Sequence, residues 1–291
     1  MKTVEKIFQD HNLSFERIEK STIGFINEVY LTDNYVVKIY GKNVNGYKRE
    51  RWLYSQIMPE YAPKLIGLGD NYIIMERITG DGLYHIWPRM SDQEREKAIE
   101  KIADIMIGIS KADYSDAGDI FEKHNNWKEF IEMRIFRTLT QLNSKNAIDS
   151  KMAQKVQNYV RDNAYTLTEE GTSLVYADFH FDNLLVHESG KIYLIDYETL
   201  CVAPKDYMLD VWNRMMIHPF IYANEKDHNQ AKQEDYTHIL EWLQKYLPDM
   251  FHIKNLNKRI SLYGIDYDLR ILLDYPNDEL VLERLEKAIS Q

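Results

Sequence analysis

What the chain is short of narrows it first. It has one cysteine, Cys201, in 291 residues, so no disulfide can form within it. Proline and glycine are sparse, at 7 and 12, and no Pro- or Gly-rich linker, repeat or low-complexity segment divides the sequence. No apolar run approaches the roughly 20 residues of a membrane span. The opening "MKTVEKIFQDHNLSF" lacks the apolar stretch of a signal peptide, so a cytoplasmic protein without a membrane partner is expected. Basic charge is also in deficit: 36 Lys and Arg face 46 Asp and Glu, a net charge of −10. Nucleic-acid binding needs clustered cations on the phosphates, so no nucleic-acid partner is expected. The acidic balance is compatible with a cationic small molecule through long-range attraction, or with a plain solvated surface.

What is present changes character near residue 80. Before it, short runs of strand type dominate. "NEVYLT" and "YVVKIYG" flank the turn signal Asp33-Asn34, and "PKLIGLG" and "YIIMERI" flank Asp70-Asn71. Between these hairpins "GYKRERWLYSQIM" reads as a helix with Trp52, Leu53 and Ile57 on one face. Beyond residue 80 the pattern is mainly helical. "SDQEREKAIEKIADIMIGI" opens with Ser91 and Glu94 at capping-box spacing and keeps helical period through Ile99, Ile102, Met106 and Ile109. Helices are expected over 126–142, 151–166, 207–217, 233–247 and about 254–289, interrupted by strands over 173–202. This order predicts a small strand-rich lobe with one helix, residues 1–78, and a large helical lobe with a β insertion, residues 79–291. A cleft between them would be bordered by residues 174–198.

That insertion holds the chemistry. "LVYADFHFDNLLV" encloses Asp178, His180, Asp182 and Asn183 between apolar runs, and buried carboxylates cost several kcal/mol unless something compensates them. Past a short hairpin, Asp196 ends an apolar strand in "LIDYE". The pattern D-x-x-x-x-N…D supplies what phosphoryl transfer needs. One carboxylate takes the proton of an attacking hydroxyl, and an amide oxygen and a second carboxylate hold Mg²⁺ against nucleotide phosphates. Hard oxygen ligands suit Mg²⁺, so His180 is expected to brace the loop rather than ligate. Turn or cap roles for Asp178, Asn183 and Asp196 are outweighed by the coincidence of spacing with apolar flanks.

"YADFHFDNLLV…GKIYLIDYE" resembles the catalytic segment of the aminoglycoside phosphotransferase and choline kinase family, whose usual form is H-G-D-x-H-x-x-N followed by I-D-[FWY]-[ED]. The departures are Tyr176 and Ala177, where the family usually has His and Gly. The resemblance runs from about residue 20 to 215. It implies an α+β fold of protein-kinase type with two lobes: a small antiparallel-sheet N-lobe and a large, mainly helical C-lobe. It also implies Asp178 as catalytic base, Asn183 and Asp196 as Mg²⁺ ligands, and ATP or GTP as phosphate donor. "STIGFINEVY" looks like the phosphate-covering turn, with Gly24 and Asn27. Lys38 falls where the strand lysine contacts phosphates, though it could be a strand-edge lysine. Glu50 would pair with it, though between Arg49 and Arg51 it could belong to a solvated helix face. "YIIMERITG" resembles the hinge: Met75 behind the base, the Glu76 carbonyl and the Ile78 N–H against its edge. "APKDYMLDVW" resembles the segment whose buried Asp braces the catalytic loop, with Asp210 preferred over Asp206.

The expected activity is a small-molecule kinase acting on a hydroxyl of an amino-bearing acceptor, an aminoglycoside-type antibiotic first and a metabolite such as choline, homoserine, methylthioribose or a fructosamine second. In this family the acceptor pocket is built partly from C-terminal helices. Here that region carries Asp266, Asp268, Asp274, Tyr275, Asp278 and Glu279 with Arg270 as the nearest cation, an acidic wall suited to ammonium groups. A non-catalytic nucleotide-binding module is disfavoured because the whole catalytic set is retained. A protein kinase would carry D-F-G and A-P-E, which are missing. A Zn or two-metal hydrolase needs more ligands than "DFHFD" supplies. Monomer and dimer stay open.

Overall fold

The computed structural model describes residues 2–21, 27–56, 60–167, 171–219 and 232–290. Five strands form an antiparallel sheet in the order β1-β2-β3-β5-β4: β1 Glu19–Lys20, β2 Glu28–Leu31, β3 Tyr35–Ile39, β4 Leu65–Leu68 and β5 Tyr72–Glu76. Both expected hairpins form. At the first, the Tyr35 N–H donates to Thr32 Oγ1 at 2.9 Å. The sheet sorts side chains by the period of two. Val37 and Ile74 face a helix that the sequence reading had not picked out, α1 (Lys2–Asp10), and join its Val4, Ile7 and Phe8 in a small core. Lys38, Ile73 and Met75 take the opposite face, toward α2 (Val44–Gln56), which buries Trp52, Leu53 and Tyr54. Ile57 lies outside the described residues.

The chain then enters a mainly helical region that shares one large core with α2. Strand β6 (Gly80–Gly82) crosses over to pair with β8 (Leu184–His187), which pairs with β9 (Ile192–Leu194). Gly80 is required there, since a Cβ would meet the Val186 carbonyl oxygen at 2.3 Å. After α3 (Leu83–Ile86), α4 (Asp92–Lys111) begins at the capping box of Ser91 and Glu94. Helices α5 (Trp127–Ser144) and α6 (Ser150–Asn163) follow, then β7 (Thr172–Tyr176), which pairs antiparallel with β10 (Leu200–Pro204). The remainder is α7 (Leu209–Ile217), α8 (Ile239–Tyr246), α9 (Pro248–Phe251), α10 (Leu256–Asp274) and α11 (Glu279–Ile289). The helical region expected over about 254–289 consists of two helices. Pro276 follows the end of α10, and Asn277 takes a left-handed φ of 66° that continues no helix. Asp278 then caps α11 by accepting from the Leu280 and Val281 amides.

The architecture is the expected one: a small antiparallel-sheet lobe over a mainly helical lobe with a β insertion. No helix among the described residues is long and apolar enough to cross a membrane.

Candidate active site

The catalytic segment follows β7 and contains a single 3-10 turn, Phe181–Asn183, before β8. Its loop is anchored by aromatic packing from below: Phe179 lies 5.5 Å from Trp212 of α7 and Phe181 lies 4.5 Å from Trp87, ring centre to ring centre. These buried rings hold the backbone while Asp178, just before them, has a side chain 42% exposed. Asn183 turns its amide nitrogen inward, donating to the Tyr176 hydroxyl at 2.7 Å and the Asp178 carbonyl at 3.0 Å. The amide oxygen is therefore the end available to a ligand. The Ile195 N–H donates to the Asn183 carbonyl at 2.9 Å, tying this loop to the segment that carries Asp196.

Tyr176 closes the arrangement. Its hydroxyl accepts from Asn183 and donates to the Asp196 carbonyl at 2.7 Å. Burial first, then the charges of Asp178 and Asp196, push its pKa well above the ordinary phenol value, so it remains a donor. The residue that departs from the family pattern is thus a buried link between the amide and the carboxylate on either side of the loop. Asp196 itself sits two residues past the end of β9 with φ 63° and ψ 71°, a left-handed conformation that turns its side chain out of the strand direction.

Lys38 reaches this point from the other lobe. Its ammonium lies 2.9 Å from Glu50, 2.9 Å from Asp196 and 2.5 Å from Glu198. Burial opposes its charge, but the three carboxylates outweigh burial and hold its pKa above the ordinary lysine value. Glu50, 1% exposed, accepts the Tyr197 N–H at 2.7 Å and is bonded by the Tyr40 hydroxyl, so it belongs to the cluster and not to a solvated face. Glu198 was unassigned by sequence reasoning, although it is the last residue of the Ile-Asp-Tyr-Glu motif. It accepts from Asn27 and Asn43 as well as Lys38. Burial, then the charges of Asp196 and Glu50 against that of Lys38, leave its pKa raised. Asn43 was also missed. Its position just before α2, where its side-chain Oδ1 accepts the Gly46 N–H at 3.1 Å, is the helix-start signal that could have marked it.

Asp178 is the best-defined titrating group. Burial pushes its carboxyl up, but the His180 hydrogen bond, the charges of His180 and Arg214 and the Asn183 amide more than offset that, and its pKa falls below the ordinary carboxylate value. His180 Nε2 is 3.5 Å from the carboxylate, the bracing position expected of it. The oxygens of Glu50, Asp196 and Glu198 lie within 4.8 Å of one another, and Asn27 Oδ1 is buried with no partner. These are hard-oxygen donors of the kind that suits Mg²⁺.

The residues expected at the hinge lie at the end of β5 and just beyond it. Met75 is buried, with its sulfur 3.7 Å from the Tyr54 hydroxyl. The Glu76 N–H donates to the Lys64 carbonyl at 2.9 Å, yet the Lys64 N–H donates to the Glu76 side chain at 2.7 Å and not to its carbonyl. Ile78 follows in irregular backbone, half-buried. Gly24 lies outside the described residues.

The acidic wall needs correction. Asp266 and Asp268 are buried inside ion pairs: Asp266 with Arg134 at 2.6 Å and Arg270 at 3.3 Å, Asp268 with Arg284 at 2.6 Å. Asp278 is occupied as a helix cap. Asp274, Tyr275 and Glu279 remain exposed at the α10–α11 turn. Asp206 is committed to Arg259 and Tyr263 of α10. Asp210 pairs with Arg214 at 3.0 Å through one carboxylate oxygen, and the other has no partner among the described residues, so neither Asp206 nor Asp210 makes a side-chain hydrogen bond to the catalytic loop there.

The family model described as "Phosphotransferase enzyme family" matches residues 18–213. No curated protein sequence matches the chain. Solved structures similar in fold include ADP-bound aminoglycoside phosphotransferase APH(2'')-Ib, at TM-score 0.68 and 16% identity, covering 99% of this chain and 96% of that one. A streptomycin–ATP ternary complex of APH(2'')-IIa reaches TM-score 0.69 at 14% identity, covering 100% and 96%. The GDP complex of aminoglycoside 2'-phosphotransferase-IIIa reaches 0.73 at 15%, covering 99% and 97%.

Proposed function

The chain belongs to the phosphotransferase enzyme family, and we propose that it moves the γ-phosphate of ATP or GTP to a hydroxyl of an amino-bearing small molecule. The observation that carries this reading is the meeting of Lys38, Glu50 and Asp196 across the lobes, joined through Tyr176 to Asn183 and the Asp178 loop. Residues 1–78 act as the nucleotide lobe and residues 79–291 carry catalysis and acceptor binding. The Glu76 carbonyl and Ile78 N–H meet the base edge, with Met75 behind it. Lys38, oriented by Glu50, binds the phosphates, and Asn27 lies at the mouth of the same cluster. Mg²⁺, when bound by Asn183 and Asp196, supplies neutralising charge for the phosphates. Asp178, ionised at neutral pH, accepts the proton of the acceptor hydroxyl. As that oxygen bonds to the γ-phosphorus, the bond to the β-phosphate bridging oxygen breaks and the nucleoside diphosphate leaves.

For the acceptor, an aminoglycoside-type antibiotic comes first. The support is that related folds were solved with streptomycin, gentamicin and hygromycin B, and that Asp178, Asp274, Tyr275 and Glu279 are exposed enough to meet ammonium groups. A choline-like or other metabolite alcohol is second. The test is a coupled nucleotide-consumption assay with ATP and with GTP across aminoglycosides and small amino alcohols. Turnover only with neutral or anionic alcohols would overturn the choice of acceptor. No turnover with any alcohol, together with absent Mg²⁺-nucleotide binding, would overturn the kinase reading.

A further inference from the structure

Two arginines flank Glu50 on α2, and their side chains go different ways. Arg51 is exposed, and its Nη1 donates to the Tyr47 hydroxyl at 3.1 Å, one turn back on its own helix. Arg49 is half-buried and reaches across to the catalytic segment, where its Nη1 donates to the Glu198 carbonyl at 2.8 Å. The next residue completes the grip: Glu50 Oε1 accepts the Tyr197 N–H at 2.7 Å. Two consecutive residues of one helix thus hold the backbone of two consecutive residues just past Asp196.

That segment needs holding. Asp196 has φ 63°, in the left-handed region where a Cβ crowds the following carbonyl oxygen. Such a conformation in a residue other than glycine persists where the surroundings enforce it. On the upstream side the Ile195 N–H donates to the Asn183 carbonyl at 2.9 Å, and the Tyr176 hydroxyl donates to the Asp196 carbonyl at 2.7 Å. On the downstream side the restraint comes from the other lobe, through Glu50 and Arg49. Held from both sides, Asp196 places its Oδ1 2.9 Å from Lys38 Nζ.

The Arg49 guanidinium stays at the carbonyl with one demand unmet. Its Nε is buried and has no hydrogen-bond partner among the described residues. Buried donors in folded proteins normally find an acceptor. An arginine turned out to solvent, as Arg51 is, would satisfy that group in water.

We propose that Arg49 is a positioning residue: through the Glu198 carbonyl it keeps Asp196 in the left-handed conformation that presents its carboxylate to a nucleotide-bound metal ion. This rests on the phosphotransfer reading, in which Asp196 is a Mg²⁺ ligand. Arg49 itself touches no substrate. Loss of the grip lowers the fraction of molecules with Asp196 in place, and Mg²⁺-nucleotide affinity falls by that fraction.

The test is calorimetry on the full chain with non-hydrolysable ATP and GTP analogues, in excess Mg²⁺ and in EDTA. Arg49→Met keeps the apolar stem and removes the guanidinium. It should weaken binding about tenfold with Mg²⁺ and leave it unchanged in EDTA. Arg51→Met removes the same charge from the same helix and should match wild type in both conditions. Arg49→Lys keeps a donor for the carbonyl and should restore most of the loss. In an Asp196→Ala background Arg49→Met should add nothing, because the grip acts through that carboxylate. In the nucleotide-free chain, amide hydrogen exchange across 195–199 should be faster in Arg49→Met than in wild type. Equal weakening with and without Mg²⁺, a full further loss in the Asp196→Ala background, or unchanged exchange would overturn the proposal. If wild type binds no Mg²⁺-nucleotide, the kinase reading falls, and the exchange rates still decide whether Arg49 holds the segment.

Discussion

Two regions of the molecule bury carboxylates in opposite ways. Around Lys38, three acids share one ammonium, and Asp196 remains 47% exposed. Across α7, the turn before it, α10 and α11, acids and arginines are matched: Asp206 with Arg259, Asp210 with Arg214, Asp268 with Arg284, and Asp266 between Arg134 of α5 and Arg270. A matched pair is balanced in charge within the fold, even where one oxygen, as on Asp210, lacks a hydrogen bond. A surplus of negative charge at the edge of a cleft is incomplete, and its natural complement is a cation from solution. The same residue type is therefore scaffold in one region and candidate ligand in the other. Counting partners separates the two where counting acids does not.

The comparison can be broken at either end. The largest effect belongs to the reacting side: Asp178→Asn should lower turnover by about 10² to 10⁴-fold, the usual range for a general base. Mg²⁺-nucleotide binding should stay close to normal, and near-normal turnover would remove Asp178 from that role. Next, Asp206→Ala leaves Arg259, 0% exposed, without its bidentate partner. Breaking such a buried pair costs about 3–5 kcal/mol, read as a lower denaturation midpoint. Replacing both partners by apolar residues, Asp206→Leu with Arg259→Met, should recover much of that loss. If the double variant is no better than the single, the pair is more than scaffold.

The unmatched cluster responds differently. Asp196→Ala should weaken nucleotide binding only when Mg²⁺ is present. By analogy with hydrogen bonds to charged groups, about 1.5–3 kcal/mol is at stake, roughly 10- to 100-fold in affinity. Without Mg²⁺ the loss of a carboxylate removes repulsion toward phosphate, so affinity should hold or rise. Calorimetry with and without the ion separates these outcomes, and an equal loss in both conditions would make Asp196 a structural residue.

How far these roles can be read in advance depends on sequence distance. Asp178, Asn183 and Asp196 stand out because their spacing and apolar flanks are local. Lys38 stands out because it interrupts the apolar run "YVVKIY" and falls where the family resemblance expects the strand lysine. The hairpins and the capping box of α4 are legible for the same reason. Glu198 and Asn27 are joined across 171 residues, and Glu50 and Tyr197 across 147, so no window shows them. Asp266 misled through the same gap. Its near neighbour Arg270 was visible, but Arg134, which holds it most closely, is 132 residues away on α5. The break between α10 and α11 is marked in the sequence by Pro276.

The smallest expected effect probes how Asp178 is held ready. Burial alone would raise its pKa, and the His180 hydrogen bond is the largest opposing influence, ahead of the charges of His180 and Arg214 and the Asn183 amide. His180→Gln removes the imidazole and its charge while leaving Arg214 and Asn183 in place. The Asp178 pKa should then rise, so at any acid pH a larger fraction is protonated and unable to accept the hydroxyl proton. The acid limb of the kcat/KM profile should move to higher pH, with little change at neutral pH, where the carboxyl is ionised in either case. A pH–rate profile from about pH 5 to 8 measures this displacement. A limb that stays where it is, with turnover lowered equally at every pH, would mean that His180 supports only the shape of the loop, and that Arg214 and Asn183 suffice to keep Asp178 ionised.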